Sequence, residues 1–336
     1  MTQKGAERFA KNCFMPVVRN AIFKNLGQMI VTEMKRNDPL EKYGNRNNFT
    51  VALLVHLRKE DSFEQFRHYI WDFENFAKDW LRGLSVEYCE TESVGESKFI
   101  KLSKVILKRI AGEAINVMRG AITKNFSGEA KSLIELFVDK LKSKLGIPKD
   151  SLKLVFFQVD NKTGYFAKMA LMCIEQTVIF LLQELANWVT KPTIKELPVQ
   201  PGEEIFLKIF SCTKKCTFCK VHCEAETVEH HQHYNRQHRP GDSLDIFRNS
   251  HTNGKFVYYK HFQTAVDYYR SWLIPKSPGA EADTYWKKVF YTFHKEFAER
   301  YRVEPADINP VWNVPWETVK VDLSKAYNVP LESIEL

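Results

Sequence analysis

Apolar residues recur at helical spacing along most of this chain, and the pattern predicts a mainly α-helical protein. An amphipathic helix repeats its apolar positions about every 3.6 residues, so that one face can be buried. Segments with this spacing run over residues 6–35, 63–84, 100–122, 132–145, 168–189, 285–301 and 316–327. Pro16 is expected to kink or split the first helix, and the short apolar run 152–159 fits either a strand or a helical turn.

One of these helices has a start signal in the sequence. Asp61, Ser62, Phe63 and Glu64 have the form of a capping box, in which a short polar side chain and a glutamate satisfy the free N–H groups of the first turn. We therefore expect one long helix from this point through residue 84.

The most apolar stretch, 166–189, is interrupted by charged and amide side chains at Lys168, Glu175 and Gln176. A bilayer span needs about 20 mostly apolar residues. We therefore expect a buried helix here and no transmembrane segment.

Aromatic residues mark the C-terminal part. Residues 256–272 fit one helix or two short helices, and 285–301 carry Trp286, Phe290, Phe293 and Phe297 at helical spacing. We expect this aromatic seam to be buried. The alternative is an exposed platform on which nucleic-acid bases stack.

Prolines at 192, 198 and 201 mark the expected domain boundary, because proline stops helices. We predict a helical domain at 1–190, a zinc-binding Cys/His module at 191–255, and an aromatic-rich helical segment at 256–336 that packs on this module.

A cluster of cysteines and histidines indicates metal chemistry. Cys216-x2-Cys219 is followed, after thirteen residues, by His233-x4-His238. This spacing is within or close to that of structural zinc sites, whose thiolate and imidazole ligands close a tetrahedron. A redox pair or a reduced, buried cysteine cluster is the alternative, but a redox Cys-x2-Cys needs a βαβ setting that the sequence lacks.

The cluster offers more ligands than one zinc ion needs, so the ligand set stays open. The candidates are Cys212, Cys216, Cys219, Cys223, His233 and His238, with His222, His230 and His231 in reserve. Large apolar residues are missing near Cys223 and Glu229, where a nucleic-acid finger packs its small core. We therefore expect a zinc-stapled loop or hairpin within a larger domain.

Composition limits the class of protein. The chain has 336 residues with 44% apolar and 13% aromatic content, which is enough for sizeable cores. Seven cysteines are an odd number, and four of them have metal spacing, so a reducing compartment and a cytoplasmic location are expected. The net charge of +8 is modest for this length.

The predicted helix 100–122 has a basic face formed by Lys101, Lys104, Lys108 and Arg109. Such a face binds nucleic-acid phosphates or an anionic membrane in some proteins, and in others it is only solvated.

We expect no catalytic residues. The chain has no GxxxxGK[ST] string and therefore no phosphate-binding loop of that type. The alternative is a metal-dependent hydrolase or nuclease in which His230, His231 and Asn235 flank an open metal ion, with Glu229 as the base.

Several segments resemble the C-terminal region of the interferon-induced very large GTPases and of the related up-regulator-of-cell-proliferation group. They are SFEQFRHYIWDFENFAKDWL (62–81), KPTIKELPVQPGEEIFLKIFSCTKKCTFCKVHC (191–223), HYNRQHRPGD (233–242), YYRSWLIP (268–275) and YWKKVFYTFHKEFAERY (285–301). The family's Cys-x3-Cys-x2-Cys-x3-Cys and His-x4-His-Arg-Pro strings correspond here to the six candidate ligands followed by Arg239 and Pro240. Two departures are CTFCK in place of a CPFCG-type step, and Ser250-His251 where another cysteine is expected.

The resemblance implies a non-catalytic helical module at the end of a giant cytosolic GTPase of innate immunity, with the GTPase domain itself absent from this sequence. Structural Zn²⁺ is the expected cofactor. A protein partner or self-association is the expected interaction.

Overall fold

The computed structural model describes residues 2–36, 43, 45–93, 95–123, 126, 128–157, 163–210, 212, 214–215, 222–223, 233–234, 272–273, 284–301 and 310–335. These residues are mainly helical, as the sequence predicts. In chain order the elements are α1 (Thr2–Arg8), a π-helical turn (Phe9–Phe14), α2 (Met15–Arg36), α3 (Arg46–Glu60), α4 (Phe63–Trp71), α5 (Phe73–Glu90), β1 (Glu92–Ser93), β2 (Glu96–Ser97), α6 (Lys98–Thr123), α7 (Ala130–Leu141), α8 (Lys149–Phe156), α9 (Thr163–Leu185), α10 (Thr190–Glu196), α11 (Pro201–Ile209), β3 (His233–Tyr234), β4 (Trp272–Leu273), α12 (Thr284–Tyr301), a 3-10 turn (Pro310–Trp312), α13 (Trp316–Tyr327) and a second 3-10 turn (Leu331–Ser333).

Two compact units share these elements. The first comprises Met1–Met34 and Arg82–Glu204, and the second comprises Lys35–Leu81 and Ile205–Leu336. The chain passes between them within α2, α5 and α11. This division is interleaved along the chain, and the three segments 1–190, 191–255 and 256–336 stay a prediction.

The first helix of the first unit continues past Pro16 through a π-helical turn. Met15 N donates a hydrogen bond to Ala10 O, five residues back, just before the proline whose ring nitrogen cannot donate. The apolar face of this turn is buried, with Phe9 packed edge-on against Phe137 of α7 at 5.3 Å between ring centroids.

The predicted long helix after Ser62 is two helices, so the prediction of one helix from a capping box is wrong. Asp61 adopts the left-handed region at φ 44° and ends α3, and Ser62 makes no side-chain cap. At the break between α4 and α5, Asp72 Oδ2 accepts a 2.6 Å hydrogen bond from Asn75 Nδ2. A local aspartate that bonds nearby groups therefore divides an otherwise continuous apolar pattern.

Helix α9 packs against α1, the π-helical turn, α6 and α7. Its inner face is buried through residues such as Phe166, Ile174 and Leu181. By length and apolar composition α9 could also span a bilayer, with a mean hydropathy of 1.5 over a window of which 33% is buried. The prediction of a buried helix is therefore correct for the inner face and wrong for the outer face, where Met172, Ile179 and Phe180 are 51%, 58% and 52% exposed.

The core of the second unit joins α12 and α13 to α3 and α4. The buried Tyr285 hydroxyl donates a 2.8 Å hydrogen bond to Leu54 O. Phe63 packs edge-on against Phe297 at 4.9 Å, and Phe290 and Phe293 are buried beside it. This confirms the buried aromatic seam for the described side chains, a set that excludes the Trp286 ring.

The strands are short. Strands β1 and β2 form an antiparallel pair with Glu92 opposite Ser97, and β3 and β4 form a parallel pair with His233 opposite Trp272. Trp272 therefore lies in a strand, and the helical interpretation is wrong at that residue. Residues 256–271 lie outside the described residues.

Candidate metal centre

A small antiparallel pairing lies at the base of the predicted zinc hairpin. Cys223 N donates a 2.8 Å hydrogen bond to Lys214 O, and Lys215 pairs with His222 in an isolated β-bridge. The connection between these two arms, 216–221, carries Cys216 and Cys219 and lies outside the described residues. In the sequence, Cys216 and Cys219 therefore lie in the segment that connects the two hydrogen-bonded arms.

The structure describes part of the predicted ligand set. Cys212 and Cys223 are both buried. His233 is described only by its backbone in β3, and Cys216, Cys219 and His238 lie outside the described residues. Within the described part of the chain, no three His, Cys, Asp or Glu side chains come together as a metal site. The complete zinc shell stays a prediction.

His222, one of the reserve ligands, is engaged with other groups. Its ring is buried, with Nδ1 3.2 Å from Cys212 O and Nε2 3.2 Å from Glu74 Oε2. Both neighbours are hydrogen-bond acceptors, so neither ring nitrogen is open to a metal ion. In this arrangement His222 supports the hairpin base.

Two stacked aromatic rings pack on the His222 ring. Phe206 of α11 and Phe210, the residue after its end, stack at 4.6 Å and contact His222 at 5.3 and 6.0 Å between ring centroids. Phe73 of α5 and Phe49 of α3 extend this cluster, at 5.5 and 5.8 Å from Phe210. The hairpin base is thus packed on a preformed apolar surface of the second unit.

Glu74 of α5 is the charged centre of the hairpin base. Its carboxylate accepts hydrogen bonds from Lys215, from Lys78 at 2.8 Å and from His222. Burial by itself would raise the pKa of Glu74, but these hydrogen bonds outweigh it and lower the pKa from the ordinary 4.5 to about 2. Glu74 therefore stays ionised and ties both arms of the hairpin to α5.

Arg46, the first residue of α3, holds the same hairpin from another direction. Its Nη1 donates a 2.6 Å hydrogen bond to Cys223 O, and its guanidinium lies 4.8 Å from the centroid of the Phe210 ring. A charge-assisted hydrogen bond thus holds Cys223, the residue that ends the Cys-rich string, and a cation–π contact holds Arg46 on the Phe210 ring. We call Arg46, Glu74, Lys215 and His222 the anchoring cluster.

The cysteines of the first unit have a different character. Cys13, Cys89 and Cys173 are buried free thiols. Burial raises the pKa of Cys13 to about 11 and that of Cys89 to about 12. These thiols stay protonated at neutral pH, and a protonated thiol is neither a good metal ligand nor a good nucleophile.

The structure describes the predicted basic face of α6 but not the residues of the hydrolase alternative. Glu229, His230, His231 and Asn235, which carry the hydrolase alternative, lie outside the described residues. On the basic face, Lys104 donates to Glu96 at 2.5 Å and is partly buried, whereas Lys101, Lys108 and Arg109 are exposed.

The anchoring cluster was missed by the sequence analysis. Glu74 and His222 are 148 residues apart, and Arg46 and Cys223 are 177 apart. No local spacing connects them. Composition gives no signal either, since residues 211–225 around Lys215 and His222 contain Phe218 as their single Phe, Tyr or Trp.

Comparison with known proteins identifies related sequences. Residues 242–320 match the family model described as the C-terminal domain of interferon-induced very large GTPase 1. The chain is 25% identical over 309 residues to interferon-induced very large GTPase 1 of Mus musculus and 22% identical over 336 residues to that of Homo sapiens. No solved structure matches the chain significantly.

These matches confirm the resemblance to the very large GTPases. The alignments cover 85% and 92% of this chain but only 12% and 13% of the two relatives. The chain therefore spans a small part of the length of the curated relatives that it matches. The similarity is to a C-terminal domain and indicates no catalytic family.

Proposed function

We propose that this chain is a non-catalytic helical interaction domain, stabilised by a structural zinc ion and equivalent to a C-terminal part of a very large GTPase. The observation that carries the proposal is the anchored hairpin base. Two buried cysteines flank a Cys-x2-Cys loop, and a dedicated set of charged and aromatic side chains fixes the arms that lead into it.

The donor chemistry fits zinc. Cys212 and Cys223 lie beside the paired arms, and Cys216 and Cys219 lie in the loop between them, so four thiolates come from twelve consecutive residues. A four-thiolate shell and a shell that uses His233 and His238 are both compatible with structural zinc sites. His222 would then act outside the shell, where it orients the hairpin through Cys212 O.

The hairpin needs a metal for a physical reason. A two-stranded hairpin with so few ladder hydrogen bonds is marginal in water by itself. The anchoring cluster fixes its base, and the Cys-x2-Cys step lies between the two arms in the sequence. Zinc binding would close this step and contribute folding free energy directly, because the unfolded chain has no formed site.

A closed shell of four protein ligands leaves no coordination position for a reactive water, which is the basis for proposing a non-catalytic role. By analogy with the interferon-induced relatives, the domain would act in the cytoplasm through a protein partner or through self-association. The large exposed apolar residues of the domain are consistent with such contacts.

The proposal is tested by removing the metal from the purified 336-residue protein with a chelator and following limited proteolysis. We expect new cleavage within residues 212–238, loss of the hairpin, and recovery when zinc is restored. Cys216→Ser should show the same cleavage without a chelator. Cys173→Ser, a buried cysteine outside the cluster, is the matched control and should not. An unchanged cleavage pattern after complete metal removal would refute the zinc role.

The non-catalytic role has its own test. Zinc-loaded protein should cleave neither nucleic acids nor ester and phosphodiester substrates. Metal-dependent turnover that is lost on changing His230 or His231 would instead favour the hydrolase alternative.

A further inference from the structure

The outer face of α9 exposes several large apolar side chains, with the polar side chains of Lys168, Gln176 and Gln183 between them. Tyr165, Met172, Ile179 and Phe180 are large side chains with 50%, 51%, 58% and 52% of their surface accessible. They recur along one side of the helix, and about half of each side chain is open to solvent. An exposed apolar stripe of this length marks an interaction surface.

The outer face of α6 is basic. Lys101, Lys108 and Arg119 lie on one line of this helix, with Arg109 beside them, and all four are exposed. The single carboxylate of α6, Glu113, is engaged by Lys144, and Arg119 is paired with Glu175 of α9, so the positive charge of this face rests on Lys108 and Arg109. Val105, which is 44% exposed, adds an apolar side chain between the lysines.

The two faces adjoin on the surface of the first unit. Helices α6 and α9 pack side by side, and Arg119 on α6 forms a 3.0 Å ion pair with Glu175 on α9. The end of α6 and the start of α9 line one small cavity, through Ala121 and Thr163, so the helices run antiparallel. The basic face of α6 therefore meets the exposed side of α9 where Arg119 pairs with Glu175.

We propose that this α6–α9 face docks on the surface of an anionic lipid bilayer. An apolar helix face that enters the headgroup region, flanked by lysine and arginine at headgroup level, has the two attractions that give peripheral membrane binding. Charge complementarity selects anionic lipid over neutral lipid. The proposal goes beyond the interaction role above and does not depend on the metal centre, which lies in the other unit.

The apolar stripe distinguishes lipid from nucleic acid. Both present phosphates to Lys108 and Arg109, but a nucleic acid offers aromatic base faces and no aliphatic phase for Met172 and Ile179. Only a bilayer satisfies both halves of the surface at once.

The test is co-sedimentation of the full chain with vesicles of phosphatidylcholine, either alone or mixed with phosphatidylserine. Two variants separate the two attractions, Lys108→Glu/Arg109→Glu and Met172→Ser/Ile179→Ser. Because each basic residue near an anionic surface contributes about 1 kcal/mol, the first should weaken binding to the mixed vesicles at least about tenfold. The second should weaken it by about tenfold as well, without changing the preference for anionic lipid.

Matched controls change the same chemistry elsewhere. Lys24→Glu/Lys195→Glu makes the same charge change at exposed positions of α2 and α10, and Leu207→Ser/Val311→Ser removes exposed apolar groups of the second unit. Both should bind like the wild type, and circular dichroism should show that all four variants are folded.

Three results would overturn the proposal. The first is absence of wild-type binding to phosphatidylserine vesicles, and the second is equal binding by all variants. The third is a wild-type protein that binds a single-stranded DNA oligonucleotide but not the vesicles, and that loses DNA binding in Lys108→Glu/Arg109→Glu. Because the variants leave the Cys/His cluster unchanged, loss of membrane binding in them is independent of zinc content.

Discussion

Replacing Glu74 with glutamine removes the charge that ties both hairpin arms to α5 while keeping the side chain's shape. A pKa lowered from 4.5 to about 2 corresponds to about 3 kcal/mol of preference for the ionised form in the folded protein. The Glu74 side chain is 24% exposed, and Lys215 is 44% exposed, so solvent screens part of this interaction. We expect Glu74→Gln to destabilise the hairpin base by about 1–2 kcal/mol.

Hydrogen exchange measures this loss locally. The Cys223 amide donates to Lys214 O within the hairpin base. An opening that is easier by 1–2 kcal/mol should speed exchange in a peptide covering 212–223 by about 5- to 30-fold. Glu64→Gln is the matched control, since that carboxylate is 63% exposed and pairs only with Arg67 among the described contacts. Its effect should stay within about 0.5 kcal/mol.

The pH dependence has a defined sign. Because folding depresses the pKa of Glu74, its contribution to stability is present above about pH 4.5 and is lost as the pH falls towards 2. The gap between the wild-type and Glu74→Gln free energies of unfolding should therefore close in acid. Acid also releases metal from thiolates, but it does so in both proteins.

Equal amide hydrogen exchange in the wild type and in Glu74→Gln at neutral pH would refute the role of the anchoring cluster.

Two further substitutions test other parts of the structure. Arg46→Ala should cost about 2–3 kcal/mol in denaturant unfolding, because it removes a charge-assisted hydrogen bond and a ring contact. Arg67→Ala, which removes an ion pair with the 63% exposed Glu64, should cost under about 0.5 kcal/mol. Gly27→Ala should lower the melting temperature, with a cost of about 2 kcal/mol or more, because its Cβ would overlap the Val199 carbonyl. Gly120→Ala meets no atom within 4 Å and should stabilise α6 by about 0.5–1 kcal/mol.

The regular helices were accessible from the sequence because their signal is local. α13 has the predicted bounds, and α6 and α12 differ from prediction by only a few residues. In each, one apolar face repeats at helical spacing without a competing polar group. The break at Asp72 was not predicted, since apolar spacing continues through it and only the side chain's hydrogen bonds divide the helix.

Features that depend on distant contacts could not be predicted. The apolar content of α9 is consistent with burial on all sides, and its outer face is exposed only because its packed neighbours all lie on the inner side. The donor set Cys212 and Cys223 came from spacing, whereas Glu74 and Arg46 reach the hairpin from helices far along the chain. The spacing of cysteines in the sequence indicates possible metal ligands, whereas the side chains that hold the hairpin are brought together only by the fold.

X-ray absorption at the zinc edge of the natively purified protein tests the central claim most directly. We expect about one zinc ion per chain in a closed four-coordinate shell, with sulfur neighbours at about 2.3 Å and no open water position. The substitution Cys216→Ser or Cys219→Ser should abolish the zinc absorption signal. Protein purified without chelators that contains no zinc, or a zinc ion with an exchangeable water in its shell, would contradict a structural zinc hairpin.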